Sequence, residues 1–225
     1  MNAHPLDRPV WNALTTRQTG LGLGDARARR FRLEINLFVA AADPSAENIA
    51  AASALVGDQG VAMVEREAFP VPPGLAVERE GPLDQMVATE RQQAPEGFAP
   101  LVLGDADAAE MLALATLTAP GPFYAETRAM GHFVGVREGN RLVAMAGERL
   151  KMPGFTEITA VCTHPDFRGR GYAKRLIQHQ LARIQAQGEA GFLHSYPDNA
   201  GAIALYESLG FRLRAKMDLK FLVRV

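Results

Sequence analysis

A turn with two glycines, set between an apolar strand and an amphipathic helix, is the feature that most constrains this chain. The segment runs from Thr163 to Ala173 and has glycine at 169 and 171. Small residues let the backbone approach a ligand closely, and the free N–H groups of the next helix's first turn then point at that ligand. A helix N-terminus of this kind favours anions such as phosphate. The sequence therefore predicts a phosphate-binding turn.

Basic residues surround this turn, at Arg168, Arg170, Lys174 and Arg175. The glycine spacing matches neither the G-x-G-x-x-G of dinucleotide-binding folds nor the G-x-x-x-x-G-K-[ST] of P-loop NTPases, so both classes are disfavoured. The alternative is a structural corner with solvated arginines. The strand before the turn, the helix after it and the four basic residues favour ligand binding.

Two short motifs resemble the signatures of the GNAT superfamily of N-acetyltransferases. Arg168-x-x-Gly171-x-Ala173 is similar to the acetyl-CoA signature [QR]-x-x-G-x-[GA], and the run from Asn199 to Phe211 resembles N-x-x-A-x-x-x-Y-x-x-x-G-F. The resemblance covers about residues 99–225. It implies the α/β (α+β) class and the GNAT fold, with a central mixed, mostly antiparallel, splayed sheet flanked by helices.

The same resemblance implies acetyl-CoA as cosubstrate and points to the positions that hold it. Backbone N–H groups of the turn would bind the pyrophosphate, and backbone groups of Val161 and Thr163 would pair with the acetyl carbonyl and the pantetheine arm. Asn199 would hydrogen-bond the pantetheine region. The predicted cofactor-binding residues are Val161, Cys162, Thr163, Arg168, Gly169, Arg170, Gly171, Tyr172, Ala173 and Asn199.

Three residues are the catalytic candidates. Tyr206 occupies the position where the family often has a general acid for the departing thiolate, although it also lies on an apolar helix stripe typical of a core tyrosine. Glu157 lies at the offset of the catalytic glutamate in histone-type members, and its alternative is an exposed strand-end glutamate. Glu148 is the competing general base, and its alternative is an ion pair with Arg149 or another arginine.

Cys162 is the chain's one cysteine, so an internal disulfide and a cysteine-built metal cluster are excluded, and a reducing cytoplasm is expected. An acetyl-cysteine intermediate is conceivable, but alternation along the strand predicts that Cys162 points into the core. The spacing of His132, His179 and His194 suggests no metal site. We therefore predict no metal.

Composition narrows the classes of partner. The formal net charge is −1 and hydrophobic residues make up 48% of the chain, as in ordinary globular proteins. A nucleic-acid partner is not expected from this charge balance. The N-terminus lacks the pattern of a signal peptide and no apolar run reaches the ~18 residues of a membrane span, so neither a membrane partner nor export is expected.

The chain is expected to divide near a polar linker at residues 91–97. Residues 1–97 form an N-terminal α/β subdomain, a degenerate GNAT-like half-copy or a dimerisation element of a homodimer, which covers one edge of the sheet and contributes to the acceptor pocket. Residues 98–225 form the acetyltransferase domain. The predicted strands include Phe31–Ala41, Gly60–Glu67, Leu75–Glu80, Leu101–Leu103, Phe133–Arg137, Leu142–Leu150, Thr156–Thr163, Phe192–Tyr196, Phe211–Met217 and Leu219–Val225. The predicted longer helices are Glu47–Val56, Ala106–Thr116, Tyr172–Gln187 and a helix that Asn199 caps and that runs to Leu209.

Together these patterns predict an acetyl-CoA-dependent N-acetyltransferase. A small-molecule or peptide amine would attack the thioester directly in a ternary complex. The alternative is a non-catalytic acyl-CoA-binding regulatory module.

Overall fold

The computed structural model describes residues 4–225 and builds them around one eight-stranded sheet. The strands are β1 (Gly22–Gly24), β2 (Ala28–Phe31), β3 (Val39–Ala41), β4 (Val61–Glu65), β5 (Leu75–Ala88), β6 (Leu101–Leu103), β7 (Phe133–Glu138), β8 (Arg141–Met152), β9 (Phe155–Thr163), β10 (Ala190–Ser195) and β11 (Phe211–Arg224). The α-helices are α1 (Pro9–Thr15), α2 (Ala46–Ala54), α3 (Ala108–Thr118), α4 (Tyr172–Ala186) and α5 (Ala200–Ser208).

The large sheet has the order β4-β11-β5-β10-β9-β8-β7-β6. β9 and β10 run parallel, and the other neighbouring pairs are antiparallel. The parallel pair requires a crossover, which α4 supplies. The predicted mixed, mostly antiparallel sheet flanked by helices is confirmed.

Helices cover both faces of this sheet. Neighbouring residues of β8 point to opposite faces. Met145 belongs to an apolar cluster with Met111 of α3, whereas Ala146 packs with Leu176 of α4. The buried face of α4 is made by Leu176, Ile177, Gln180, Leu181 and Ile184, which recur at the three- and four-residue spacing of one helix face.

The sheet splits between β9 and β10. Their parallel pairing extends only from Ala190↔Phe155 to Phe192↔Glu157. β10 continues beside β5 to the Ser195↔Asp84 pair, and residues 158–163 of β9 keep only β8 as a strand partner. A bulge in β9, with Ala160 at φ 50°, accompanies the divergence. One edge of β9 is therefore left open to a ligand.

The first 97 residues do not form a layer beside the sheet of residues 98–225. β5 lies inside that sheet, paired with β10 on one side and with β11 on the other, and β4 forms its edge beyond β11. The expectation that this segment merely covers an edge is therefore wrong for β5. A separate three-stranded sheet, β1-β2-β3, is packed by α1 and α2.

Two expectations about strands are also wrong. Residues 211–224 form one bent strand rather than two, because bulges between Leu213 and Ala215 and between Phe221 and Leu222 absorb the irregularity without ending the pairing with β5. The continuous strand expected for 31–41 is interrupted, because the Asn36 side chain accepts a hydrogen bond from the Phe38 amide and turns the chain.

Candidate functional site

A cavity of about 850 Å³ opens where β9 and β10 diverge, between the end of β9, the N-terminus of α4 and α5. We call it the large cavity. The structure brings together in its lining every predicted cofactor-binding residue and Tyr206: Val161, Cys162, Thr163, Arg168, Gly169, Arg170, Gly171, Tyr172, Ala173, Asn199 and Tyr206. Their common location agrees with a single ligand site; the individual binding roles stay predictions.

Backbone conformation explains the two glycines of the turn. Gly169 has φ 78° and Gly171 has φ 75°, in the left-handed region that glycine adopts without strain. No atom lies within 4 Å of a Cβ built at either position, so conformation rather than crowding requires glycine there. Gly171 is the N-cap of α4 and no side chain caps that helix. Its first N–H groups are therefore available at the large cavity.

The cations around the turn are unequally engaged. Within residues 4–225, Arg168 and Lys174 form no salt bridge, whereas Arg170 lies 3.5 Å (Nη1 to Oε1) from Glu138. Arg175 does not line the cavity; its guanidinium stacks on Phe98 and donates to the Arg170 carbonyl. Two free cations and an uncapped helix N-terminus make this end of the large cavity suited to a phosphate group.

Tyr206 lies where the large cavity meets a second one. Its side chain packs against Phe211, with ring centroids 6.0 Å apart, and burial raises the pKa of its phenol. Its hydroxyl takes part in no side-chain hydrogen bond within residues 4–225 and is not one of the fully buried atoms left without a partner, so it is open to the cavities that Tyr206 lines. A phenol that stays protonated and has no protein partner can donate its proton to a ligand in either cavity.

Asn199 and Cys162 line the large cavity and also have structural roles. The Asn199 side chain accepts from the Ala202 amide at 3.3 Å and caps α5, as its sequence position predicts. Cys162 is 6% exposed, packs with Leu103 and Met111, and burial raises the pKa of its thiol to about 11. The thiolate needed for an acetyl-cysteine is therefore disfavoured.

The second cavity, of about 190 Å³, meets the large cavity from the other side; we call it the small cavity. Both are lined by Pro120, Val161, Asn199, Ala202 and Tyr206. Phe38 and Leu83 bring the first 97 residues into the small cavity, so the expectation that this segment contributes to a second pocket agrees with the geometry. A ligand in each cavity would meet the other at Val161 and Tyr206.

Glu157 is fully buried and lies behind the small cavity without lining it. Its carboxylate accepts from Arg149 Nε at 2.8 Å, Arg149 Nη2 at 2.6 Å and His194 Nδ1 at 2.7 Å. Burial opposes ionisation, but the charge and hydrogen bonds of Arg149 and His194 outweigh it and lower the pKa of this carboxyl to about 2. This geometry contradicts the general-base assignment, because both oxygens are occupied and the group is a very weak base.

Glu148 lies on the opposite face of β8, towards α4. Its carboxylate accepts from Arg183, from Lys151 Nζ at 2.7 Å and from the His132 amide at 3.1 Å. It lines neither cavity. The alternative that the sequence left open, an ion pair with an arginine, is the one observed.

Sequence reasoning missed Arg149 and His194, which do line the small cavity. His194 donates from Nδ1 to Glu157, and its Nε2 accepts from Gln85 Nε2 at 3.1 Å. The Gln85 orientation is set by its bonds to the Leu6 carbonyl and to Arg214. Both ring nitrogens are thus engaged by protein. Only the pairing of β10 with β5 places Gln85 opposite His194, and no local pattern signals it.

Residues 4–225 contain no cluster of three or more His, Cys, Asp or Glu side chains placed to hold a metal ion. Of the helices in the same residues, none combines the length and the apolarity that crossing a bilayer requires.

A crystal structure of a GNAT-family protein from Novosphingobium aromaticivorans resembles this chain over its whole length. The two sequences are 44% identical, the match covers 99% of this chain and 100% of the other, and the TM-score is 0.92. The chain belongs to the GNAT family. Because the match is nearly complete, this GNAT architecture includes the first 97 residues, which the sequence motifs did not reach.

Other comparisons agree with the family. Residues 133–219 of this GNAT protein match the family described as FR47-like protein. The N-alpha-acetyltransferase RimI of Mycobacterium tuberculosis is 39% identical over 36% of the chain and 52% of its own length. The ribosomal protein bS18-alanine N-acetyltransferase of Salmonella typhimurium is 40% identical over 23% of the chain and 35% of its own length. The chain thus spans about half of the first curated relative and about a third of the second.

A GCN5-related N-acetyltransferase from Kribbella flavida shares the fold. It is 18% identical, with a TM-score of 0.60 over 94% of this chain and 91% of its own.

Proposed function

We propose that this GNAT protein is an acetyl-CoA-dependent N-acetyltransferase that transfers an acetyl group to a primary amine by direct attack in a ternary complex. The observation that carries the proposal is the meeting of two cavities at Val161 and Tyr206. One cavity is lined by every predicted cofactor-binding residue and by Tyr206, and the other approaches the same point from the opposite side of the splayed sheet. This is the arrangement that two substrates need in order to react.

The large cavity fits acetyl-CoA, which supplies the acetyl group activated as a thioester. The N–H groups at the start of α4, with Arg168 and Lys174 beside them, suit its pyrophosphate. The unpaired edge of β9 offers the backbone N–H and C=O groups of Val161 and Thr163 to the pantetheine arm. The Val161 N–H would then hold the acetyl oxygen and stabilise the negative charge that develops there.

Proton transfer in this site relies on one side chain. Among the described residues, no carboxylate lines either cavity. Both ring nitrogens of His194 already have hydrogen-bond partners in the protein. The amine therefore arrives neutral, having lost its proton to solvent. As the C–N bond forms and the C–S bond breaks, the Tyr206 hydroxyl donates its proton to the leaving sulfur. The attacking nitrogen loses one proton as it becomes an amide, and that proton passes through solvent to restore the phenol.

The acceptor in this proposal is a primary amine; the relative from Salmonella typhimurium acts on an alanine of ribosomal protein bS18. Cytoplasmic location and a homodimer stay predictions. The competing function, a non-catalytic acyl-CoA-binding module, leaves the small cavity and the unpartnered Tyr206 hydroxyl without a role.

Acetyl-CoA turnover with a panel of primary amines tests the proposal. Tyr206→Phe should lower kcat by about 10²–10⁴-fold, the range typical of general acid–base catalysis, with little change in acetyl-CoA affinity. Tyr124→Phe is the matched control, because Tyr124 is half-buried, has a pKa raised by burial and lines neither cavity. Wild-type protein that binds acetyl-CoA but acetylates no amine would establish the binding module instead.

The pH profile tests the absence of an enzyme base. The ascending limb of kcat/KM should follow the pKa of each acceptor's own amine, because no protein group deprotonates it. A limb that stays at one pH for acceptors of different amine pKa would show a base on the enzyme.

A further inference from the structure

Arg149 is the one charged side chain in the lining that the structure describes for the small cavity. The rest of this lining is apolar or neutral, with Phe38, Leu83, Leu219 and Phe221 among its walls. Arg149 is 8% exposed. Burying a cation to this extent costs free energy unless its charge is paired and its N–H donors form hydrogen bonds.

Only part of the Arg149 guanidinium is used by the protein. Nε and Nη2 bond side-on to the two oxygens of Glu157, at 2.8 Å and 2.6 Å. Nη1 makes no hydrogen bond within residues 4–225, and the Phe38 ring lies 5.0 Å from Cζ. A guanidinium has five N–H donors in a planar fork. The edge formed by Nε and Nη2 faces Glu157. The other edge, which we call the end edge, has one N–H from Nη1 and one from Nη2, and these two donors remain for a ligand.

This end edge matches a planar two-oxygen acceptor. Two parallel N–H groups bind a carboxylate through both oxygens, which is stronger and more directional than a bond to one neutral oxygen. Glu157 and His194 hold the fork in place, so little side-chain freedom is lost when a ligand binds. Without a carboxylate in its lining, the small cavity offers nothing to a second ammonium group.

We propose that Arg149 binds the carboxylate of the acceptor, so that the acceptor is an amino acid with a compact apolar side chain. This deepens the proposed function and rests on it. The aromatic and aliphatic walls receive the side chain, and the volume of about 190 Å³ suits a small molecule. The amine then faces the junction at Val161 and Tyr206, where the two cavities meet.

Three matched amines test the proposal on wild-type protein with acetyl-CoA. L-leucine has the carboxylate, L-leucinamide replaces it by a neutral amide, and 3-methylbutylamine lacks it. With each rate divided by that amine's neutral fraction, kcat/KM for leucine should exceed that for 3-methylbutylamine by about 10²-fold or more, because a site built for hydrogen bonds rejects a ligand that leaves them unmade. An alanine-initiated tetrapeptide amide is included as the peptide arm.

Arg149→Lys links the preference to this residue. Lysine keeps a positive charge beside Glu157 but lacks the two-pronged end edge, so the preference for leucine should fall below about 10-fold while acetyl-CoA affinity is unchanged. Arg183→Lys is the matched control, because Arg183 pairs with the buried Glu148 on the other face of β8. It should keep the full preference.

Calorimetric titration of leucine and of 3-methylbutylamine into CoA-saturated protein separates this proposal from the proposed function. Leucine binding that Arg149→Lys weakens, with no amine acetylated, would support the carboxylate site and refute the acetyltransferase. Acetylation of 3-methylbutylamine, leucinamide or the peptide at least as efficient as that of leucine would overturn the carboxylate site and leave the acetyltransferase. Leucine that is neither bound nor acetylated would also overturn the carboxylate site.

Discussion

The two cavities of this protein are built in different ways. The lining of the large cavity comes from residues 118–206, and more than half of it comes from two short stretches that lie close together in the chain, 161–163 and 167–174. The small cavity draws on residues from 38 to 221, carried by β5, β8, β9, β10, α5, β11 and loops. The first cavity offers mainly backbone groups and glycine conformations, the second mainly side chains that the sheet brings together from distant positions.

This difference explains why the sequence predicts the kind of ligand that the large cavity binds but not the ligand of the small cavity. A phosphate-binding turn needs its conformation and its donors within a few residues, so its pattern is local. An acceptor pocket needs only that certain side chains lie close together in the folded protein, and these side chains can come from any positions in the sequence. Changes in the first 97 residues should therefore affect the small cavity and the sheet, whereas changes at the turn should affect the large cavity alone.

The largest effect is expected from removing the first 95 residues. A chain that begins at Glu96 lacks β5, so β10 and β11 lose the strand between them and their edges are left unpaired. We expect no cooperative unfolding transition by circular dichroism, and aggregation through the exposed apolar surface. A soluble fragment that melts cooperatively and binds CoA would show that the large cavity is independent of the first segment.

Glu157→Gln should give the next largest effect. It removes the counter-charge of a buried arginine, and breaking a buried ion pair typically costs about 3–5 kcal/mol. Glu148→Gln is the control and should cost less, because its partners Arg183 and Lys151 reach solvent. Urea denaturation of both variants measures the difference in free energy of unfolding.

The pH dependence of stability sharpens this prediction. The pKa of Glu157 in the folded protein is about 2, below its usual 4.5. Its stabilising contribution is therefore complete above about pH 4.5 and is lost as pH falls towards 2. Glu157→Gln should flatten the wild-type loss of stability in this window. Parallel curves for wild type and Glu157→Gln between pH 4.5 and 2.5 would contradict the assigned ion pair.

Gly171→Asp tests the large cavity alone. Its carboxylate would face the pyrophosphate, and repulsion between like charges should weaken CoA binding by about 10–100-fold. Gly154→Asp is a matched control, since Gly154 has φ 81° against 75° for Gly171, and both have open space around an added Cβ. Calorimetry should show weaker CoA binding only for Gly171→Asp. Equal CoA affinities in the two variants would contradict the assignment of the pyrophosphate to this turn.

Glu65→Gln should have the smallest effect. Glu65 pairs with Arg8 at 3.0 Å, but burial dominates and raises the pKa of its carboxyl to about 7. The folded state then binds more protons than the unfolded state between about pH 4.5 and 7, so stability falls as pH rises through this range. Glutamine mimics the protonated carboxyl, and Arg8 keeps its bonds to the Ala41 and Ala42 carbonyls. We therefore expect little change in the free energy of unfolding at pH 5 and a variant at least as stable as wild type at pH 8. Denaturation midpoints at pH 5 and pH 8 should differ less in this variant than in wild type, and an unchanged difference would exclude Glu65 as its source.

Local patterns predicted the elements around the turn accurately. The helices at 172–186 and 200–208 and the strands at 133–163 appear within a few residues of their expected positions, because their apolar periodicity and caps are written in adjacent residues. Expectations failed where pairing partners decide: the bulges of β11 keep one strand where composition suggested two.

The sequence by itself determined the glycine turn, the uncapped helix behind it and the tyrosine on α5, because each depends on residues within one or two turns of chain. Tertiary structure alone decided the rest of the site. It placed β5 between β10 and β11, which sets Gln85 against His194. It also enclosed Glu157 with Arg149, which converted an expected general base into a fixed counter-ion. The physical reason is that a carboxylate's basicity depends on burial and on the charges beside it, and both are properties of the packed sheet rather than of the neighbouring sequence.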